Sequence, residues 1–197
     1  MRSIGITGGV GAGKSTVLSY LEKEYHAYLV VADELAKELE QPGHACYDEL
    51  VKAFGTEILT AEGLLDKKAF AALIFSDESA LQRANGIIHP AVKADILRQM
   101  QEQNDAGTEI FVVEAALLIE ENYDKILDEL WYIYAEESVR MKRLADSRGY
   151  TEEKSRSIMR QQKTDAEFRS CCRYIIDNSG GSWETQAQID AILKGTR

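Results

Sequence analysis

Short apolar runs alternate along this chain with longer stretches of helical pattern. That alternation is the signature of a parallel-sheet α/β domain. It predicts strands over 3–7, 28–31, 109–113, 130–134 and 174–176. Helices are predicted over 14–24, 33–40, 44–54, 67–75, 78–104, 136–147, 152–163 and 183–193. Pro90 is expected to break or kink the longest of these near Ile88 and His89, because proline lacks an N–H and crowds the preceding turn. No internal repeat or low-complexity linker interrupts the pattern.

The strands are unevenly spaced. The second and third are separated by a mostly helical stretch far longer than one crossover helix needs. Residues 35–107 are therefore expected to form a helical insertion, and residues 138–170 a second one between the last two strands. The core then comprises 1–34, 108–137 and 171–197. A nucleotide core with two helical insertions suits a small kinase: one insertion holds the acceptor, and the other closes as a lid and excludes water.

The first strand runs into Gly8-Gly9-Val10-Gly11-Ala12-Gly13-Lys14-Ser15, a complete GxxxxGK[ST] pattern that leads into a helix. Strand, loop and helix together are the context in which this motif binds phosphate. Glycines let backbone N–H groups close around phosphate oxygens. The helix N-terminus adds the positive end of its dipole. Lys14 is placed to reach the β- and γ-phosphates, and the Ser15 hydroxyl to ligate Mg²⁺.

Composition adds limits. The chain has 197 residues, 45% of them hydrophobic and 28% charged, as in an ordinary globular protein. No apolar run approaches a membrane span, and the glycine-rich start does not read as a signal peptide, so a cytoplasmic location is expected. Cys46, Cys171 and Cys172 lack metal-site spacing and read as inert thiols in a reducing compartment. A net charge of −10 argues against general nucleic-acid binding. The charge is uneven, however. Residues 136–163 carry eight Lys/Arg against five acids, which suits closure over a polyphosphate.

Asp33 falls at the expected C-terminal end of the second strand, the edge that faces the ligand crevice in open α/β sheets. There it can accept a hydroxyl proton and help hold Mg²⁺, or cap the helix that follows. Glu114 ends the third strand's apolar run and is a magnesium-side or substrate-side carboxylate candidate. Arg140, Arg143 and Arg148 follow the fourth strand, and arginine forks onto phosphate oxygens. Spacing does not decide which of the three reaches them. Asn85 and His89, one helical turn apart before Pro90, read as structural on residue chemistry alone.

Together these residues resemble the dephospho-coenzyme A kinase family over nearly the whole chain. The resemblance rests on the opening Ile4–Thr16 stretch and Ala32-Asp33. It continues through Asn85…His89-Pro90, then Leu117-Leu118 with Glu120, the arginine-rich segment and Ile176-Asp177-Asn178-Ser179-Gly180. It implies a P-loop kinase: a five-stranded parallel sheet flanked by helices, a helical acceptor insertion and a helical lid. It implies transfer from ATP, with Mg²⁺, to the ribose 3′-hydroxyl of dephospho-coenzyme A.

Asp33 is then the base or hydroxyl-orienting group, with Lys14, Arg140 and Arg143 at the reaction centre. Gly9, Val10, Gly11, Ala12, Gly13, Lys14, Ser15 and Thr16, with Arg148 and Asn178, fall to ATP. Asp33, Asn85, His89, Glu114 and Leu117 fall to the acceptor, and Ser15 and Asp33 to the metal. No nucleic-acid or membrane partner is expected, and the chain is expected to be a monomer or weak homo-oligomer. Two departures stand out. Glu114-Ala115-Ala116 replaces the family's usual Asp-Val-Pro, and Ser147 stands where a lid arginine is common.

Overall fold

The computed structural model describes residues 1–195. Its strands are β1 (Arg2–Thr7), β2 (Tyr28–Val31), β3 (Ile110–Glu114), β4 (Glu129–Tyr134) and β5 (Tyr174–Asp177), in one sheet of order β2-β3-β1-β4-β5. β1 pairs in parallel with β3 and β4, and β4 with β5. The chain fills one side of β1 with β3 and β2 and then crosses to the other for β4 and β5. A ligand crevice is expected at such a switch point, beyond the strands' C-terminal ends. All five predicted strands are present, with ends shifted by at most one residue.

Two compact units result, one formed by residues 1–29 with the chain from Ala106 onward, the other by Val30–Asp105. In the first, β1 is flanked by α1 (Lys14–Tyr25) and α9 (Ser182–Lys194). Alternate strand residues point to one face. Ile4 and Ile6 accordingly pack with Val17 and Leu21 of α1, Trp131 and Ile133 of β4, Ile176 of β5 and Ile189 of α9. Gly5 points the other way, where a Cβ would come within 2.5 Å of Leu130 and 2.9 Å of Leu127. At the N-terminal ends of β1 and β4 Asp128 accepts hydrogen bonds from the Ser3 N–H and hydroxyl. The buried Glu129 accepts from Arg2 Nε and Trp131 Nε1.

The second unit contains α2 (Ala32–Leu39), α3 (Ala45–Phe54), α4 (Lys67–Ser76) and α5 (Glu78–Asp105). Its core joins Leu50 and Phe54 of α3 with Phe70 of α4 and Ala80 and Ala84 of α5. The expected break at Pro90 is corrected here, since α5 is one continuous helix with the proline inside it. Proline removes one hydrogen bond, but its fixed φ is itself helical. A row at four-residue spacing, Ala80, Ala84, Ile88, Val92 and Ile96, is buried or partly buried on both sides of Pro90, so packing favours continuation.

The basic segment folds as α6 (Glu137–Arg148), α7 (Glu152–Arg160) and α8 (Asp165–Cys171). The helix expected over 152–163 stops at Arg160, and α8 is additional. Its N-terminal signal is a capping box. The Thr164 side chain accepts from the Glu167 N–H, and Glu167 accepts from the Thr164 N–H.

α1 and α9 are tied together by one carboxylate. Asp190 accepts from Tyr20 and Tyr25 at 2.8 and 2.6 Å and from Lys194 at 2.7 Å. The Lys194 bond, followed by the two tyrosine bonds, holds its carboxyl down to about 2, while burial and Asp190 push Tyr20 up to about 12. A depressed carboxyl contributes stability that is present above its unfolded value near 4 and lost as pH falls through 2. Asp190→Asn is therefore expected to cost about 1 kcal/mol at pH 7. In urea unfolding the gap from the parent should narrow at pH 3. A gap that is constant or widens at low pH contradicts this assignment.

Candidate active site

The loop between β1 and α1 holds the site. Gly13 precedes α1 with φ 87° and ψ 33°, a left-handed conformation that a side chain rarely tolerates. Space is equally restrictive. A Cβ at Gly13 would collide with the Asn178 amide, and one at Gly9 with the Arg140 guanidinium.

Three side chains grip the loop by its carbonyl oxygens. Arg140 Nε donates to Val10 O at 2.9 Å. Arg143 Nη1 and Asn178 Nδ2 donate to Ala12 O at 3.2 and 2.8 Å. In a trans peptide the C=O and the following N–H point in opposite directions. Holding the Val10 and Ala12 carbonyls therefore fixes the Gly11 and Gly13 N–H groups toward the other side. With the N-terminus of α1, this forms an anion-binding concavity.

The grips are themselves fixed. Asn178 follows β5 and is buried. Its N–H donates to Tyr134 O, and its Oδ1 accepts from Thr185 of α9, both at 2.8 Å. Its own carbonyl accepts from Arg143 Nη2 at 2.8 Å. Gln162, beyond α7, presents Oε1 to Val10 N–H and to Arg140 Nη2, each at 3.0 Å. Burial lowers the pKa of Arg140 below the ordinary arginine value. Gln162 and Thr185 carry no motif signal. Only their place in the lid stretch and beside Asn178 marks them.

Lys14 Nζ donates to Gly8 O at 3.0 Å and lies 3.4 Å from Glu114 Oε1. Glu114 is thus brought to the loop from the end of β3. Ser15 and Thr16 are exposed in the first turn of α1, and Leu117 is exposed beyond β3. Arg148, at the end of α6, is exposed and lies over the Tyr150 ring at 5.9 Å. In the second unit Asp33 is exposed, and Asn85 and His89 are partly buried one turn apart on α5. The N-cap expectation for Asp33 is corrected. α2 starts one residue earlier with Val31 as its cap, so Asp33 sits inside the first turn. No cluster of three His, Cys, Asp or Glu suited to a metal is present among the described residues. No helix among them is long and apolar enough to cross a membrane.

The sequence model of the dephospho-CoA kinase family matches residues 2–184. The chain belongs to the dephospho-CoA kinase family. It is 34% identical over 192 residues to a dephospho-CoA kinase of Geobacillus kaustophilus, covering 98% of this chain and 95% of the relative. It resembles the Thermus thermophilus protein TT1252 with a TM-score of 0.81 and 26% identity, over 100% of this chain and 98% of that one. Against a dephospho-CoA kinase from Campylobacter jejuni the TM-score is 0.73 at 23% identity, covering all of both chains, which supports the fold. The family's phosphate loop, gripped here by Arg140, Arg143 and Asn178, is thus part of a kinase fold along its whole length.

Asn178→Ala tests that grip. Truncation leaves the Thr185 hydroxyl without its acceptor and Ala12 O with Arg143 alone. The expected cost is about 2 kcal/mol in urea unfolding, with ATP affinity down about tenfold or more by calorimetry. Unchanged stability and unchanged ATP affinity together would show that Asn178 is dispensable.

Proposed function

We propose that this chain transfers the γ-phosphoryl group of ATP to the ribose 3′-hydroxyl of dephospho-coenzyme A, giving ADP and coenzyme A, the last step of coenzyme A synthesis. The observation that carries the reading is the phosphate loop, its carbonyls held outward by Arg140, Arg143 and Asn178, in a chain of this family. The acceptor oxygen attacks phosphorus, the bond from phosphorus to the β-phosphate oxygen breaks, and ADP departs. Asp33 takes the hydroxyl proton. Lys14 follows the γ-phosphoryl charge, and Arg140 and Arg143 fix the loop that orients it.

Mg²⁺, arriving with ATP, would offset the charge of the phosphate oxygens. The exposed Ser15 hydroxyl is a hard oxygen donor at the loop's end and fits such an ion, with Asp33 as the proposed carboxylate. Magnesium sites of this kind draw most ligands from water and substrate, so they need no dense protein cluster. Thr16, Arg148 and Asn178 complete the ATP side. Asn85, His89, Glu114 and Leu117 serve the acceptor. In this reading residues 35–107 form the acceptor-binding insertion and 138–170 the lid. The enzyme acts in the cytoplasm as a monomer or weak homo-oligomer.

The test is transfer from ATP to dephospho-coenzyme A with Mg²⁺, the phosphorylated position being identified in the product. Coenzyme A and ADP in equal amounts are expected. Transfer to a free nucleoside but none to dephospho-coenzyme A would overturn the reading. Asp33→Asn then isolates the base. Asn cannot take the proton or supply charge, so turnover should fall about a hundredfold or more. Loss of a first-turn carboxylate should cost no more than about 1 kcal/mol. Near-parental turnover would move the base role elsewhere, with Glu114 the next candidate.

A further inference from the structure

A cavity of about 480 Å³ lies inside the first unit, beside the phosphate loop rather than within it. Tyr132 and Tyr134 of β4 and Met159 of α7 give it apolar walls. Arg140, Arg156, Arg160 and Lys163 give it four cations. Arg140 is the shared wall, because its guanidinium also holds Val10 O.

Two of the four cations are already matched. Arg156 bonds Glu137 at 2.5 Å and Glu152 at 3.0 Å. Lys163 lies 3.3 Å from Glu120. The lining carboxylate Asp165 is itself taken by Arg169 at 2.6 Å and by the Tyr132 hydroxyl, which it helps push up to about 12 after burial. Arg140 bonds only neutral oxygens, those of Val10 and Gln162. Arg160 has no hydrogen bond or ion pair among the described residues, although it lines the cavity. Among the described residues, neither guanidinium has a carboxylate within ion-pair distance, and Glu137, which faces Arg140, is bonded to Arg156.

A diphosphate diester carries two charges, one on each phosphate, and guanidinium forks onto such oxygens. The donor's polyphosphate already has the loop amides, the α1 N-terminus and Lys14. Arg140 lines the cavity, whereas Arg143 and Asn178, which grip the loop at Ala12, are not among its lining residues. We propose that this cavity binds the 5′-diphosphate of the acceptor, with Arg160 as the residue that reads it and Arg140 joining it to the phosphate loop. The inference rests on the function proposed above and adds where the acceptor's charge is recognised.

Arg160→Gln and Arg160→Lys test it in the full chain. Parent transfer to dephospho-coenzyme A is measured first. Its absence would defeat the functional reading itself, and this inference with it. Given transfer, Arg160→Gln is expected to raise the Kd and KM for dephospho-coenzyme A at least tenfold. Its kcat should stay within threefold, and its KM for ATP and its urea midpoint should be close to parental. Arg160→Lys keeps the charge without the fork and should fall between parent and Gln. An unchanged Kd for dephospho-coenzyme A overturns the proposal. So does a rise in the ATP KM instead, which would give the cavity to the donor. Loss of kcat alone also overturns it, by placing Arg160 at the transferring group.

Discussion

Backbone carbonyls held outward are the constraint on which the rest of this structure depends. An isolated glycine-rich loop has too much conformational freedom to hold its N–H groups on one point. Here Val10 O and Ala12 O are fixed by Arg140, Arg143 and Asn178, and peptide planarity then fixes the amides. The surrounding fold serves these bonds. β1 lies between β3 and β4, so the loop leaves the middle of the sheet. β5 and α9 hold Asn178 through Tyr134 and Thr185. Arg140 and Arg143, three residues apart, share a face of α6. The glycines follow from the same demand, since a side chain at Gly9 or Gly13 would occupy the place of the gripping group.

The uneven charge acquires a meaning from this geometry. The basic stretch at 136–163 supplies both loop-gripping arginines, and its other cations divide into paired and unpaired. Arg156 is paired with Glu137, and Lys163 with Glu120. Arg140 and Arg160 are not, and both face the cavity beside the loop. Exposed ion pairs contribute little to stability. A guanidinium with no ion-pair partner beside the phosphate loop suits recognition of an anion.

The sheet and the loop were legible in the sequence for a physical reason. Parallel strands buried on both faces read as short apolar runs, and the phosphate motif has fixed spacing. Glu114 was legible as an acid ending such a run, and the structure sets it beside Lys14. What escaped depended on tertiary partners. Arg140 and Arg143 were legible as arginines after the fourth strand, but their bonds to the Val10, Ala12 and Asn178 carbonyls were not. Gln162 and Thr185 have polar side chains of no distinctive pattern, and their roles exist only because folding brings Val10 and Asn178 to them. Pro90 was read by its local cost, whereas apolar positions buried on both sides outweigh it. The short α8 was missed although Thr164-x-x-Glu167 announces its start, because seven residues give too little periodicity.

The central claim is that the phosphate loop is ordered by its carbonyl partners before any nucleotide arrives. Backbone ¹⁵N relaxation of the nucleotide-free protein tests this most directly. The account predicts order parameters for residues 9–14 near 0.85, the value of rigid backbone. Values below about 0.6 across the loop, rising only when ATP is added, would contradict it.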